Sequence, residues 1–123
     1  MATRIFLATM AIAWLPYGLY CFIDPSALRA LAGVVATTPT AMTELRAMYG
    51  GLQSAIGALA LLATVRPHLE RAALTMLATV LLGLAAARLV GLVLDASWSS
   101  YTAMGLTFEI GGSLVAIALL RRR

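Results

Sequence analysis

The chain is 123 residues long, 62% apolar and only 11% charged, whereas a soluble domain of that size carries about a quarter charged residues. Its net charge of +4 comes from nine basic residues, all arginine, against five carboxylates. No long solvated basic segment with interleaved aromatics accompanies them, which excludes nucleic acid as a partner. One small domain embedded in a lipid bilayer is the expectation.

The first apolar run, Ile5 to Ile23, follows Arg4. Ala11-Ile12-Ala13 resembles a cleavage site for a signal peptide, but the apolar character continues past it to Ile23, which favours an uncleaved membrane span over about 5–23. Pro16 removes one backbone donor from it. Asp24-Pro25 reads as a helix cap followed by proline at the first helical position. The segment it opens, about 25–36, is too short to span and carries Arg29, so a helix lying on the membrane surface is expected there. Thr38 caps the second span, about 39–65, whose polar beginning holds Glu44 and Arg46. Arg66-Pro67-His68 is a tight turn into the third span, about 68–94, with Glu70 favourable at its N-terminal end. A polar connection containing Trp98 leads to the fourth, about 101–120. The predicted fold class is all-α, an integral membrane four-helix bundle with a short interfacial helix between the first two spans.

The lone cysteine, Cys21, has no internal disulfide partner, and His68 has no second ligand at metal spacing. No metal and no cofactor are expected. Arginines favour the side holding both termini and the 66–71 turn, including Arg121, Arg122 and Arg123. The positive-inside rule therefore puts both termini in the cytoplasm.

Two spans carry an ionisable residue well inside, Arg88 and Glu109, which marks a candidate site because a charge in hydrocarbon is costly unless paired or wet. At 1.5 Å per residue, Arg88 lies about 10 Å below Asp95 and Glu109 about 12 Å below Tyr101. Consecutive antiparallel helices then hold both charges at nearly one level. Helical spacing aligns Arg88, Gly91 and Asp95; Gly105, Glu109, Gly112 and Ala116; and Arg46, Tyr49, Gly50, Gln53 and Gly57. The expected result is a polar pocket of Glu44, Arg46, Tyr49, Gln53, Arg88, Asp95, Tyr101 and Glu109. Gly50, Gly57, Gly83, Ala87, Gly91, Gly105 and Gly112 are the expected helix-packing positions. The pocket reads first as a structural ion-pair network and next as a ligand or ion site. Catalysis is disfavoured, because no nucleophile, metal set or phosphate loop stands beside the carboxylates.

The segment Glu44-Leu45-Arg46-Ala47-Met48-Tyr49-Gly50-Gly51-Leu52-Gln53 resembles the hallmark of the DUF4345 family of small bacterial four-helix membrane proteins. Phe22-Ile23-Asp24-Pro25, Ala87-Arg88-Leu89-Val90-Gly91 with Asp95, and Glu109 extend the resemblance over nearly the whole chain. It implies a bacterial inner-membrane protein and singles out Glu44, Arg46, Tyr49, Gly50, Gln53, Arg88, Asp95 and Glu109. It implies no activity. More distantly the chain resembles DoxX-like membrane proteins, some of which accompany redox complexes. The functional expectation is a non-enzymatic accessory or assembly subunit of a larger membrane complex, with other membrane subunits or further copies of itself as partners. The alternative is a binder or transporter of a small ligand, lipid or ion through the Arg/Glu pocket.

Overall fold

The computed structural model describes residues 1–122; of the three terminal arginines, Arg123 lies outside them. The fold is all-α, 88% helical. Its helices are α1 (Ala2–Ile23), α2 (Leu28–Ala32), α3 (Pro39–Leu45), α4 (Leu52–Val65), α5 (Glu70–Leu94) and α6 (Ser100–Arg121). Short 3₁₀ turns, Pro25–Ala27 and Pro67–Leu69, introduce α2 and α5, and a π-helical turn, Arg46–Gly51, joins α3 to α4. Among the described residues, four continuous helical stretches are long and apolar enough to cross a membrane: Ala2–Ile23, Pro39–Val65, Pro67–Leu94 and Ser100–Arg121.

The helix starts follow from capping chemistry. The Asp24 carboxylate accepts from the Ser26 backbone N–H and from the Ser26 hydroxyl, with Pro25 behind it. Thr38 accepts from the Ala41 N–H at 3.1 Å, and Ser99 from the Thr102 N–H at 3.1 Å. The surface helix expected over about 25–36 is shorter than that. It stops at Ala32 because Gly33 adopts a left-handed conformation, φ 69°, that ends the helix. Residues 33–37 carry no regular structure before Thr38 restarts the chain.

Five threonine hydroxyls inside the helices are satisfied locally, whereas the buried Ser54 hydroxyl has no hydrogen-bond partner among the described residues. Thr9, Thr43, Thr75, Thr79 and Thr107 each donate to the carbonyl four residues earlier, at 2.9–3.1 Å. Each therefore spares the surroundings an unfilled polar group and presents mainly its methyl outward.

The chain divides into two compact units, Met1–His68 and Leu69–Arg123. In the first, α1 packs against α4 and the π turn. The buried positions of α1 (Leu7, Met10, Ala11, Trp14, Gly18, Cys21) recur every three or four residues and so form one stripe. The contacts run in opposite senses along the two helices: Leu15 meets Gly57, Gly18 meets Ser54 and Phe22 meets Gly50, so the pair is antiparallel. In the second unit α5 packs against α6, joined by a five-residue connection, 95–99. Leu74, Leu77, Leu81 and Ala85 of α5 and Leu106, Ala116 and Leu119 of α6 are buried.

Candidate functional site

In the first unit the polar beginning of the second span does something the sequence pattern does not disclose. The π turn places Arg46 beside the end of α1, where its Nη1 donates to the Phe22 carbonyl and, at 3.3 Å, to the Ile23 carbonyl. These belong to the last turn of α1, whose final carbonyls have no partner within the helix. Arg46 thus supplies a cationic cap where the helix dipole is negative, and its guanidinium carbon lies 5.8 Å from the Phe22 ring centroid. Glu44 is exposed, while Tyr49 and Gln53 are half-buried on the π turn and the first turn of α4.

Backbone contact holds the rest of that unit. A Cβ added to Gly50 would lie 2.6 Å from the Phe22 Cα, and one added to Gly57 would lie 2.6 Å from the Leu15 nitrogen. Gly18, which helical spacing on the second span could not reveal, meets the Ser54 nitrogen at 2.5 Å by the same measure. Only a missing side chain permits such approaches.

In the second unit Arg88 of α5 and Glu109 of α6 meet. The Arg88 Nε donates to Glu109 Oε1 at 2.7 Å. The two ends are unequally enclosed: the Glu109 side chain is 4% exposed and that of Arg88 29%. The guanidinium lies against α6 because position 105 is glycine, where a Cβ would stand 3.0 Å from both Cζ and Nε of Arg88. The Tyr101 ring flanks it, with its centroid 5.5 Å from the guanidinium carbon, a cation–π distance. The second carboxyl oxygen, Glu109 Oε2, is buried and has no hydrogen-bond partner among the described residues. Neighbouring Ser113, 1% exposed, gives its hydroxyl to the Ile110 carbonyl at 2.9 Å.

Of the eight residues expected to line one pocket, Glu44, Arg46, Tyr49 and Gln53 belong to the first unit and Arg88, Asp95, Tyr101 and Glu109 to the second. The second unit brings Arg88, Tyr101 and Glu109 together. Asp95 is exposed and terminates α5, its backbone N–H donating to Gly91, with its carboxylate beside that glycine. Among the expected packing positions, Gly112 is buried. Gly83 and Ala87 depart from the expectation: both are exposed, and a Cβ on Gly83 would meet nothing within 4 Å. The α5 residues that face inward, Leu77, Leu81 and Ala85, leave that stripe on the opposite side of the helix. Among the described residues no three His, Cys, Asp or Glu side chains cluster at metal-binding distance.

These features define an all-α protein with four helices of membrane-crossing length and a charged pair within one helical hairpin. The family model described as a domain of unknown function, DUF4345, matches residues 2–120, essentially the whole chain, and the protein belongs to that family. Neither the curated proteins nor the solved structures contain a match.

Proposed function

We propose that the protein is a non-enzymatic subunit of a larger membrane assembly, docking to a transmembrane helix of a partner through the outer face of α5. The observation that carries this reading is the open notch at Gly83. Thr75, Thr79, Gly83 and Ala87 recur every fourth residue, all exposed, and the two threonine hydroxyls are already bonded to Arg71 and Thr75 carbonyls. The face is therefore a shallow groove of methyl groups and bare backbone. Such small-residue grooves admit a second helix at close range, where van der Waals packing replaces the hydrophobic drive that lipid does not supply. Leu82 and Val90 beside it are exposed as well and offer the groove apolar walls.

The bacterial inner membrane is the setting, with both termini in the cytoplasm. Arg66 and Arg71 at the α4–α5 turn and the arginines after α6 would then lie on the positive side. The test is affinity purification from native membranes in a mild detergent, comparing the natural chain with Gly83→Leu. A stoichiometric partner that co-migrates with the first and is lost from the second, while the variant still inserts and folds, is the expected outcome. A second copy of this chain as that partner would make the groove a homo-oligomer contact. Full retention of partners by Gly83→Leu, or a monomer in both cases, would overturn the reading.

A further inference from the structure

We propose that Arg88, Glu109 and Tyr101 form a binding site for a net-neutral polar head group that pairs an N–H donor with an anionic oxygen. The starting point is the unfilled acceptor. Glu109 is 3% exposed, one of its oxygens takes the Arg88 Nε at 2.7 Å, and the other, buried, has no hydrogen-bond partner among the described residues. A carboxylate enclosed in this way is expensive to leave half-satisfied. Its natural complement is a donor, an ammonium or amine N–H, brought by a ligand.

Arg88 supplies the opposite half. A guanidinium has five N–H donors in a rigid fork, of which Nε is committed to Glu109. The side chain is 29% exposed, and the Tyr101 side chain is its second hydrogen-bonding neighbour. Gly105 lets the group lie against α6, and Tyr101 bounds one side. The fork is thus held in place before a ligand arrives, which suits bidentate recognition of a phosphate or carboxylate.

Charge selects between ligand classes. Arg88 and Glu109 together are neutral, so an anion alone would face the Glu109 carboxylate, and a cation alone would face the guanidinium. Either would also add an uncompensated charge in a low-dielectric setting. A zwitterion meets both demands: its acidic oxygens approach Arg88, and its ammonium takes Glu109 Oε2, which must open to it because that atom is enclosed in this structure. Ethanolamine phospholipids carry this chemistry, and so do free zwitterions such as glycerophosphoethanolamine.

The experiment is native mass spectrometry of the purified protein in detergent, titrated separately with phosphatidylethanolamine, phosphatidylcholine and phosphatidylglycerol of identical acyl chains. Choline keeps the charges but has no N–H, so the expected result is about tenfold weaker binding of phosphatidylcholine than of phosphatidylethanolamine, the worth of one charge-assisted hydrogen bond. Phosphatidylglycerol should bind no better than phosphatidylcholine. In Glu109→Gln, where an amide N–H₂ replaces the acceptor, the preference should vanish. Equal binding of the ethanolamine and choline lipids, tightest binding of phosphatidylglycerol, or an unchanged preference in Glu109→Gln would each overturn the proposal. The comparison of lipids on the natural chain decides it even if the variant does not fold. Competition by soluble glycerophosphoethanolamine would assign the site to a free zwitterion, and its failure to compete would assign it to a lipid.

Discussion

The α1–α4 pair is joined by backbone against backbone, the α5–α6 pair by side chains and a charged contact. In the first, glycines at 18, 50 and 57 let the two backbones come into contact, and Arg46 serves carbonyls rather than a carboxylate. In the second, leucines fill the interface and an arginine reaches across to an enclosed glutamate. The difference teaches that one residue type, arginine inside an apolar helix, has two physical solutions. Arg46 is neutralised by the negative end of a helix, and Arg88 by a formal opposite charge.

Substitutions that exchange these solutions sharpen the contrast. The largest effect is expected for Arg88→Leu, which strands Glu109 in its enclosed position and should cost about 4 kcal/mol. Glu109→Leu should cost less, about 1–2 kcal/mol, because Arg88 is partly exposed and can extend toward polar surroundings. The double replacement should recover most of the loss. Reversible unfolding in detergent mixtures, followed by circular dichroism, gives all three values; additive losses in the double variant would refute the coupling.

Next in size is Gly57→Val, which drives a Cβ into the Leu15 backbone and should destabilise the first unit by about 3 kcal/mol. A fully stable Gly57→Val protein would mean that α1 and α4 are not in backbone contact. Arg46→Met keeps the apolar stem but leaves the Phe22 and Ile23 carbonyls without their donor. A loss of about 1–2 kcal/mol is expected, accompanied by faster amide exchange in the residues after Ile23, read by hydrogen–deuterium mass spectrometry. Unaltered exchange would sink the capping role. The smallest effect belongs to Gly83→Val, within about 0.5 kcal/mol in the isolated protein, since nothing stands near that position. A large folding defect there would move Gly83 from a docking groove to the core.

Much of the architecture could be read from residue order. Apolar runs bounded by Asp24-Pro25, Thr38-Pro39 and Arg66-Pro67 mark where helices stop and start, because capping and proline chemistry act over two or three neighbours. Counting residues from the short 95–99 connection places Arg88 and Glu109 at one level, and in the hairpin they lie 2.7 Å apart. What escaped the sequence depends on contacts between distant segments. Gly18 is one glycine in an unremarkable apolar run until Ser54 lies against it. The acceptors for Arg46 are main-chain carbonyls, which every residue possesses and no pattern advertises. The Gly83-x-x-x-Ala87 spacing identifies a face suited to close approach, yet spacing alone does not say whether that face looks inward.

The wide turn at Arg46–Gly51 has a consequence for how this chain tolerates length changes. It accommodates one residue more than a regular α-helical turn, and so sets the angular phase of everything before it. A deletion within the turn is absorbed as it closes to a regular α-helix, whereas one just after it, in α4, leaves hydropathy and span length almost untouched yet swings the α3 end of the helix by about 100°. Arg46 would then be carried away from the carbonyls it serves. An indel invisible to any hydropathy profile would thus uncouple the two ends of the first unit.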